Sequence, residues 1–107
     1  TNPCIWPRQE FEEFAVARPW VFKRNGLYHM YYSTRYRKKL YRIEYATSID
    51  GQVWNRDYER PFDVSKAGWD SQMVCYPSIV DTSTKTYMFY NGNNNGESGF
   101  GYAELLM

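Results

Sequence analysis

The sequence predicts an all-β chain built from two copies of one antiparallel unit, and three observations carry that expectation. The first is a repeat. The stretch from Arg18 to Ser33 recurs from Tyr76 to Asn91, with Pro19 matching Pro77 and Met30-Tyr31-Tyr32 matching Met88-Phe89-Tyr90 without a gap. Ile43 to Ala46 then lines up with Phe100 to Ala103 at a spacing one residue shorter. The second is composition: aromatics are 20% of the 107 residues, with 11 Tyr, 6 Phe and 4 Trp, and such residues favour strands. The third is Asn25-Gly26 between two apolar runs, a strong signal for a tight hairpin. A repeated all-β unit of this size suggests a propeller blade. The predicted blades span about residues 15–60 and about 72–107, each an antiparallel sheet, the second reached by the chain with only three of four strands.

Thr1 to Pro7 carries two prolines and Trp6 and reads as an irregular lead-in. Glu10 to Ala17 reads as a short helix or a loop. Its glutamates, Glu10, Glu12 and Glu13, invite a catalytic role, but nothing nearby in sequence tunes them, and an acidic approach to the first strand is the plainer expectation. Pro19 to Phe22 is the first strand, with proline at a position where a missing N–H is tolerated. Leu27 to Thr34 is the second. Tyr28, Met30 and Tyr32 share one face of it and His29, Tyr31 and Ser33 the other, so both faces need cover. The lone His29 reads as a core or interface residue.

Tyr41 to Ser48 is the third strand. In Ser48-Ile-Asp-Gly-Gln-Val-Trp54 the Asp50 carboxylate can accept from the amides of its own turn, while Gly51 supplies a positive φ. Trp54 begins an outer strand and folds back over the hairpin. The pattern is similar to the Asp-box turn of many propellers, and Asp50 is expected to be structural. Asp57 to Asp70 connects the two units. Met73 to Asp81, Thr86 to Asn91 and Gly99 to Leu106 are the strands of the second, with Asn91 to Gly96 as a Gly/Asn loop.

The net charge of +1 and a mean hydropathy of −0.72 exclude little by themselves. No apolar run approaches the ~18 residues of a membrane helix, and no signal-type segment stands at the start. The expectation is no membrane partner and a cytoplasmic location. The cluster Arg35-Tyr36-Arg37-Lys38-Lys39 falls where a hairpin loop is expected and reads as solvated, not as a nucleic-acid patch. Cys4 and Cys75 lack metal-like spacing and are expected as free thiols. No metal or cofactor is implied.

Pro-x-Val, Gly-x-Tyr-x-Met-Tyr-Tyr-Ser, Ile-x-Tyr-Ala-x-Ser-x-Asp-Gly-x-x-Trp and Met-Phe-Tyr-Asn-Gly-Asn together resemble two successive blades of a five-bladed β-propeller. The similar proteins are glycoside hydrolases of families 43, 32, 68 and 130, the arabinanase, levansucrase and invertase group. The resemblance covers Glu10 to Leu106 and is specific for blade architecture, with the chain matching the C-terminal two blades. In that group, opposed carboxylates flank the glycosidic bond, about 5–9.5 Å apart, and the acid stands two residues before a proline. Here the matching positions read Ala17-Arg18-Pro19 and Cys75-Tyr76-Pro77. The resemblance therefore implies a glycosidase-like part without catalytic carboxylates, inactive alone.

The residues left at those positions are the candidates for sugar binding. Arg18 and Tyr76 are repeat-equivalent and should project from adjacent blades near the axial funnel, where arginine can bond sugar hydroxyls or a carboxylate and tyrosine can stack on a ring. Arg35, Asn91 and Asn93 end the second strands and can reach the same rim. In the competing reading Arg18 pairs with a blade acid and Tyr76 is ordinary packing. Two blades also leave two apolar faces without partners. Either a longer chain covers them, or copies self-associate into a binding or structural oligomer that is not an enzyme.

Overall fold

The computed structural model describes residues 2–59 and 62–106. The chain is all-β with little helix. After a 3-10 turn at Gln9–Phe11 come strands β1 (Glu13–Arg24), β2 (Leu27–Tyr36), β3 (Leu40–Ser48) and β4 (Asn55–Asp57), hydrogen-bonded in that order as one antiparallel sheet. A second, three-stranded antiparallel sheet follows in the order β5 (Cys75–Asp81), β6 (Thr86–Asn91) and β7 (Phe100–Leu105).

Residues aligned by sequence hold the same register in the two sheets. Val21 faces Met30 as Ile79 faces Met88, and Tyr31 faces Tyr45 as Phe89 faces Tyr102. The Asn25-Gly26 turn closes with φ of 54° and 77°, the double positive φ that this pair accommodates in a two-residue hairpin.

The two-residue period of β2 divides its large side chains as the alternation predicts. Tyr31 joins Ile43, Ile79, Met88 and Tyr90 in the core between the sheets, with Phe22, Tyr45, Ala103 and Leu105 packed against it. Met30 and Tyr32 point the opposite way and cluster with Ala46, Val16, Trp54 and Ile5 on the outer face of the first sheet. Burial of each such side chain contributes about 1.5–3 kcal/mol. His29 is buried on the inter-sheet side, stacked on Phe22 at 5.1 Å, with its Nδ1 2.6 Å from the Tyr45 hydroxyl. It is a core histidine.

Trp69 anchors the second sheet from outside its strands. Its ring lies 5.2 Å from that of Tyr90 and fills space left by two glycines. A β-carbon on Gly101 would come within 2.5 Å of the indole, and one on Gly92 would strike both the ring and the Trp69 carbonyl. Beside it, the Tyr90 hydroxyl donates to the buried Asp70 carboxylate at 2.7 Å. The Asp50 turn has the expected geometry: its Oδ1 accepts from the amides of Gln52 (2.9 Å) and Val53 (3.0 Å) and from the Ser48 hydroxyl. Trp54 lies back over Met30, Tyr32 and Ala46.

Four boundaries differ from those the sequence suggests. β1 begins at Glu13, so Pro19 lies inside the strand and not at its start; β1 is a sheet edge and Pro19 falls in a bulge, where no ladder N–H is needed. Glu10 to Ala17 accordingly splits into a 3-10 turn and strand. β2 runs on to Tyr36, which makes Arg35 a strand residue paired with Ala15 and Tyr41, not part of the loop. Asn93–Gly96 forms a single helical turn, with Asn94 and Asn95 left-handed at φ of 56° and 57°, a conformation asparagine tolerates better than most residues.

Candidate functional site

Both edge strands break their ladder at the same place. β1 shifts register between Ala17 and Trp20, and β5 between Cys75 and Ser78. Each bulge holds a left-handed residue directly before a proline: Arg18 at φ 53° and Tyr76 at φ 60°. A non-glycine residue in that region costs about 1–3 kcal/mol and persists where the surroundings over-determine it. For Tyr76 the determinant is visible. Its N–H donates to the buried Ser33 hydroxyl of β2 at 2.7 Å, a bond that crosses from one sheet to the other. Two further bonds stitch the sheets close by: Val74 N–H to the Tyr41 carbonyl at 3.2 Å and Arg42 Nη1 to the Gln72 carbonyl at 3.0 Å.

The bulges bring their side chains together. The Arg18 guanidinium lies over the Tyr76 ring, 5.1 Å from its centroid. Tyr76 in turn packs against Tyr41 of β3 at 5.7 Å. Arg35 stands over Tyr41 at 5.9 Å and over Phe14 of β1 at 5.3 Å, and Arg37 covers the same Phe14 at 5.3 Å. The result is one exposed strip in which guanidinium groups alternate with rings. Burial pushes the Tyr76 phenol above its ordinary range and the adjoining Tyr41 hydroxyl adds to the rise, while Arg18 pulls it back. The phenol is therefore neutral and able to donate through the neutral pH range.

Of the residues singled out by sequence, Arg18, Arg35 and Tyr76 come together in this strip. Asn91 faces Cys75 across the ladder, next to Tyr76, and its amide donates to the Asn95 carbonyl at 3.4 Å. Asn93 is occupied elsewhere: its Oδ1 accepts from the amides of Gln72 (2.8 Å) and Met73 (3.2 Å), and its Nδ2 donates to the Gly68 carbonyl. It ties the helical turn to the inter-sheet connection. Sequence reasoning passed over Phe14, Tyr41 and Arg37. The two aromatics are alternating strand residues like many others here, and only the cross-strand register places them between the arginines.

The buried carboxylates serve the scaffold. Glu13 accepts from Arg56 at 2.7 and 3.0 Å and from the Arg8 amide at 3.0 Å. Glu44 accepts from the Tyr36 hydroxyl at 2.8 Å. Among the described residues no group of three His, Cys, Asp or Glu side chains is placed to hold a metal ion, and no helix is long and apolar enough to cross a membrane. Cys4 is exposed and Cys75 buried, and neither forms a disulfide; burial pushes the Cys75 thiol up to about 11.

No family model matches the chain. It is 40% identical over 92 residues to the uncharacterized protein Rv1502 of Mycobacterium tuberculosis strain H37Rv, and equally to the uncharacterized protein MT1551 of strain CDC 1551. The match takes in 85% of this chain and 30% of each relative, so the chain spans under a third of the curated proteins it resembles. Among solved structures, one described as a glycoside hydrolase superposes with a TM-score of 0.69 at 21% identity, over 86% of this chain and 28% of its own. A second, a complex of BT0996 and RGII, gives 0.70 at 20% identity, over 86% and 27%. The two-sheet arrangement is thus similar to part of a glycoside hydrolase.

Proposed function

We propose that the two sheets are successive blades of a glycosidase-like β-propeller, and that they act there as a carbohydrate-contacting module without catalytic carboxylates of its own. One observation carries this: matched bulges turn Arg18 and Tyr76 into contact at the same end of adjacent sheets. Bulges of this kind re-aim side chains beside functional sites. A tyrosine ring can stack on the apolar face of a pyranose while its hydroxyl and a guanidinium donate to ring hydroxyls. The fold shared with a solved glycoside hydrolase supports the same direction. Asn91 belongs to the rim, and Asn93 supports it by holding the adjoining turn. The positions Ala17-Arg18-Pro19 and Cys75-Tyr76-Pro77 offer no acid, so binding and not bond cleavage is assigned.

Calorimetric titration of the chain with a panel of neutral and acidic oligosaccharides tests this. A saturable ligand is expected, with Tyr76→Ala and Arg18→Ala each weakening it roughly ten-fold, as loss of a stacked ring or charged donor does, while the melting temperature holds within a few degrees. Absence of any saturable glycan would remove the proposal, and so would collapse of the fold in both variants.

The outer faces favour a second reading, assembly into a non-enzymatic oligomer. Sheet two applies Met88 and Tyr90 to sheet one, and the repeat equivalents of these residues, Met30 and Tyr32, line a hollow of about 650 Å³ on the far side of sheet one with Val21, Tyr28 and Trp54. Tyr31, which sheet one presents inward, has Phe89 as its equivalent on the far side of sheet two, packed with Tyr102. The chain therefore carries both halves of its own inter-sheet contact, one on each flank. A second copy, laid head to tail, is the occupant whose chemistry the existing contact already specifies.

A further inference from the structure

Arg18, Arg35 and Arg37 present three positive charges along the strip, and among the described residues no carboxylate pairs with any of them. The contrast with the other arginines is direct. Arg8 bonds Glu10 at 2.7 Å, Arg24 bonds Asp81 at 2.5 Å, Arg42 lies 3.2 Å from Asp63, and Arg56 is clamped by Glu13. The three in the strip are held by rings instead. A guanidinium resting face-on against an aromatic ring keeps its N–H edge free, and that edge matches a planar carboxylate in a two-bond fork. The arginine is oriented before its partner arrives, so less freedom is lost on pairing. Phe14, Arg35, Tyr36 and Arg37 also enclose a small hollow of about 190 Å³ at the far end of the strip from Arg18, room for one substituent and not for a polymer.

We infer that the strip selects acidic sugars, with Arg18 and Arg35 each taking the carboxylate of a uronic acid residue along one glycan chain. This rests on the carbohydrate reading above and narrows its ligand. Nucleic acid is the rival polyanion, and the geometry disfavours it. Bases bind such surfaces by stacking on open aromatic faces, whereas here guanidinium groups already lie over Phe14, Tyr41 and Tyr76.

The probes are an oligogalacturonide, the same oligomer with its carboxyls methyl-esterified, a neutral galactan oligomer and oligo-dT, each titrated into the chain at fixed ionic strength. The acidic oligomer is expected to bind at least ten-fold tighter than its ester, with weakening as salt rises. Arg18→Gln and Arg35→Gln should each abolish most of that preference while leaving any binding of the neutral oligomer unchanged. Equal binding of acid and ester would overturn the inference and leave the carbohydrate reading standing. Binding of no glycan would overturn both. Tighter binding of oligo-dT than of the uronate would reassign the strip to nucleic acid and overturn the inference as well.

Discussion

Asp50 shows how much one side chain can fix. Three donors converge on its Oδ1, from Val53, Gln52 and Ser48, and the two amide bonds lead the causes that hold its carboxyl below the ordinary aspartate range. A depressed folded pKa means that the carboxylate's contribution to stability is complete above about pH 4 and is lost as the pH falls through the folded value. Asp81 behaves likewise, lowered by the Thr86 hydroxyl and by Arg24. The melting temperature should therefore drop between about pH 5 and pH 2, and Asp50→Asn should make that drop shallower while lowering stability at pH 7. An acid limb unchanged by the substitution would show that the turn contributes nothing. This residue was legible in advance because its partners lie within three positions of it. The charge and its donors are neighbours in the chain.

At the scale of the element, legibility fades with sequence separation. The Asn25-Gly26 hairpin and the alternation in β2 are local, and both appear where the pattern puts them. The bulges at Arg18 and Tyr76 are not local. A proline inside a strand pattern reads as a strand start, and only the pairing of β1 with β2 and β5 with β6 reveals a strand that runs through it. Glu13 is the same lesson in a side chain. Read from its neighbours it is one of several acids approaching a strand, whereas in the fold it is 2% exposed and doubly bonded to Arg56 of β4. Burial alone would lower the Arg56 pKa, but the Glu13 bond more than restores it, so the pair remains charged. Removing one partner strands the other, at about 3–5 kcal/mol for Glu13→Ala. Urea unfolding measures this directly, and the double change to apolar residues of similar volume should recover much of the loss. A single-variant cost below about 1 kcal/mol would place the pair in water-like surroundings.

The whole molecule is governed by its two flanks. Phe100 and Tyr102 are 74% and 62% exposed, and they share a sheet with the Phe89 ring stacked near Tyr102. Apolar surface on this scale is a driving force for association. If the flanks meet head to tail, light scattering should give a mass above that of one chain, and Met30→Lys or Tyr102→Lys should each return the monomer. Mixing the two variants is the sharper experiment. Each retains one intact flank, so the mixture should form a one-to-one dimer that grows no further. A monomeric parent chain, or no dimer on mixing, ends the second reading. The contact partner of a flank is the part of the fold least visible in sequence, since alternation marks a strand as covered on both sides without saying by what.

The left-handed residues at 18 and 76 have a last consequence. Their direction is set by backbone, with a proline locking the following φ and, at 76, a hydroxyl from the neighbouring sheet holding the peptide. Whatever side chain occupies either position is delivered to the same spot, because the stem is fixed and only the tip varies. Two codons are thus enough to change the chemistry offered at that rim while the sheets beneath stay as they are.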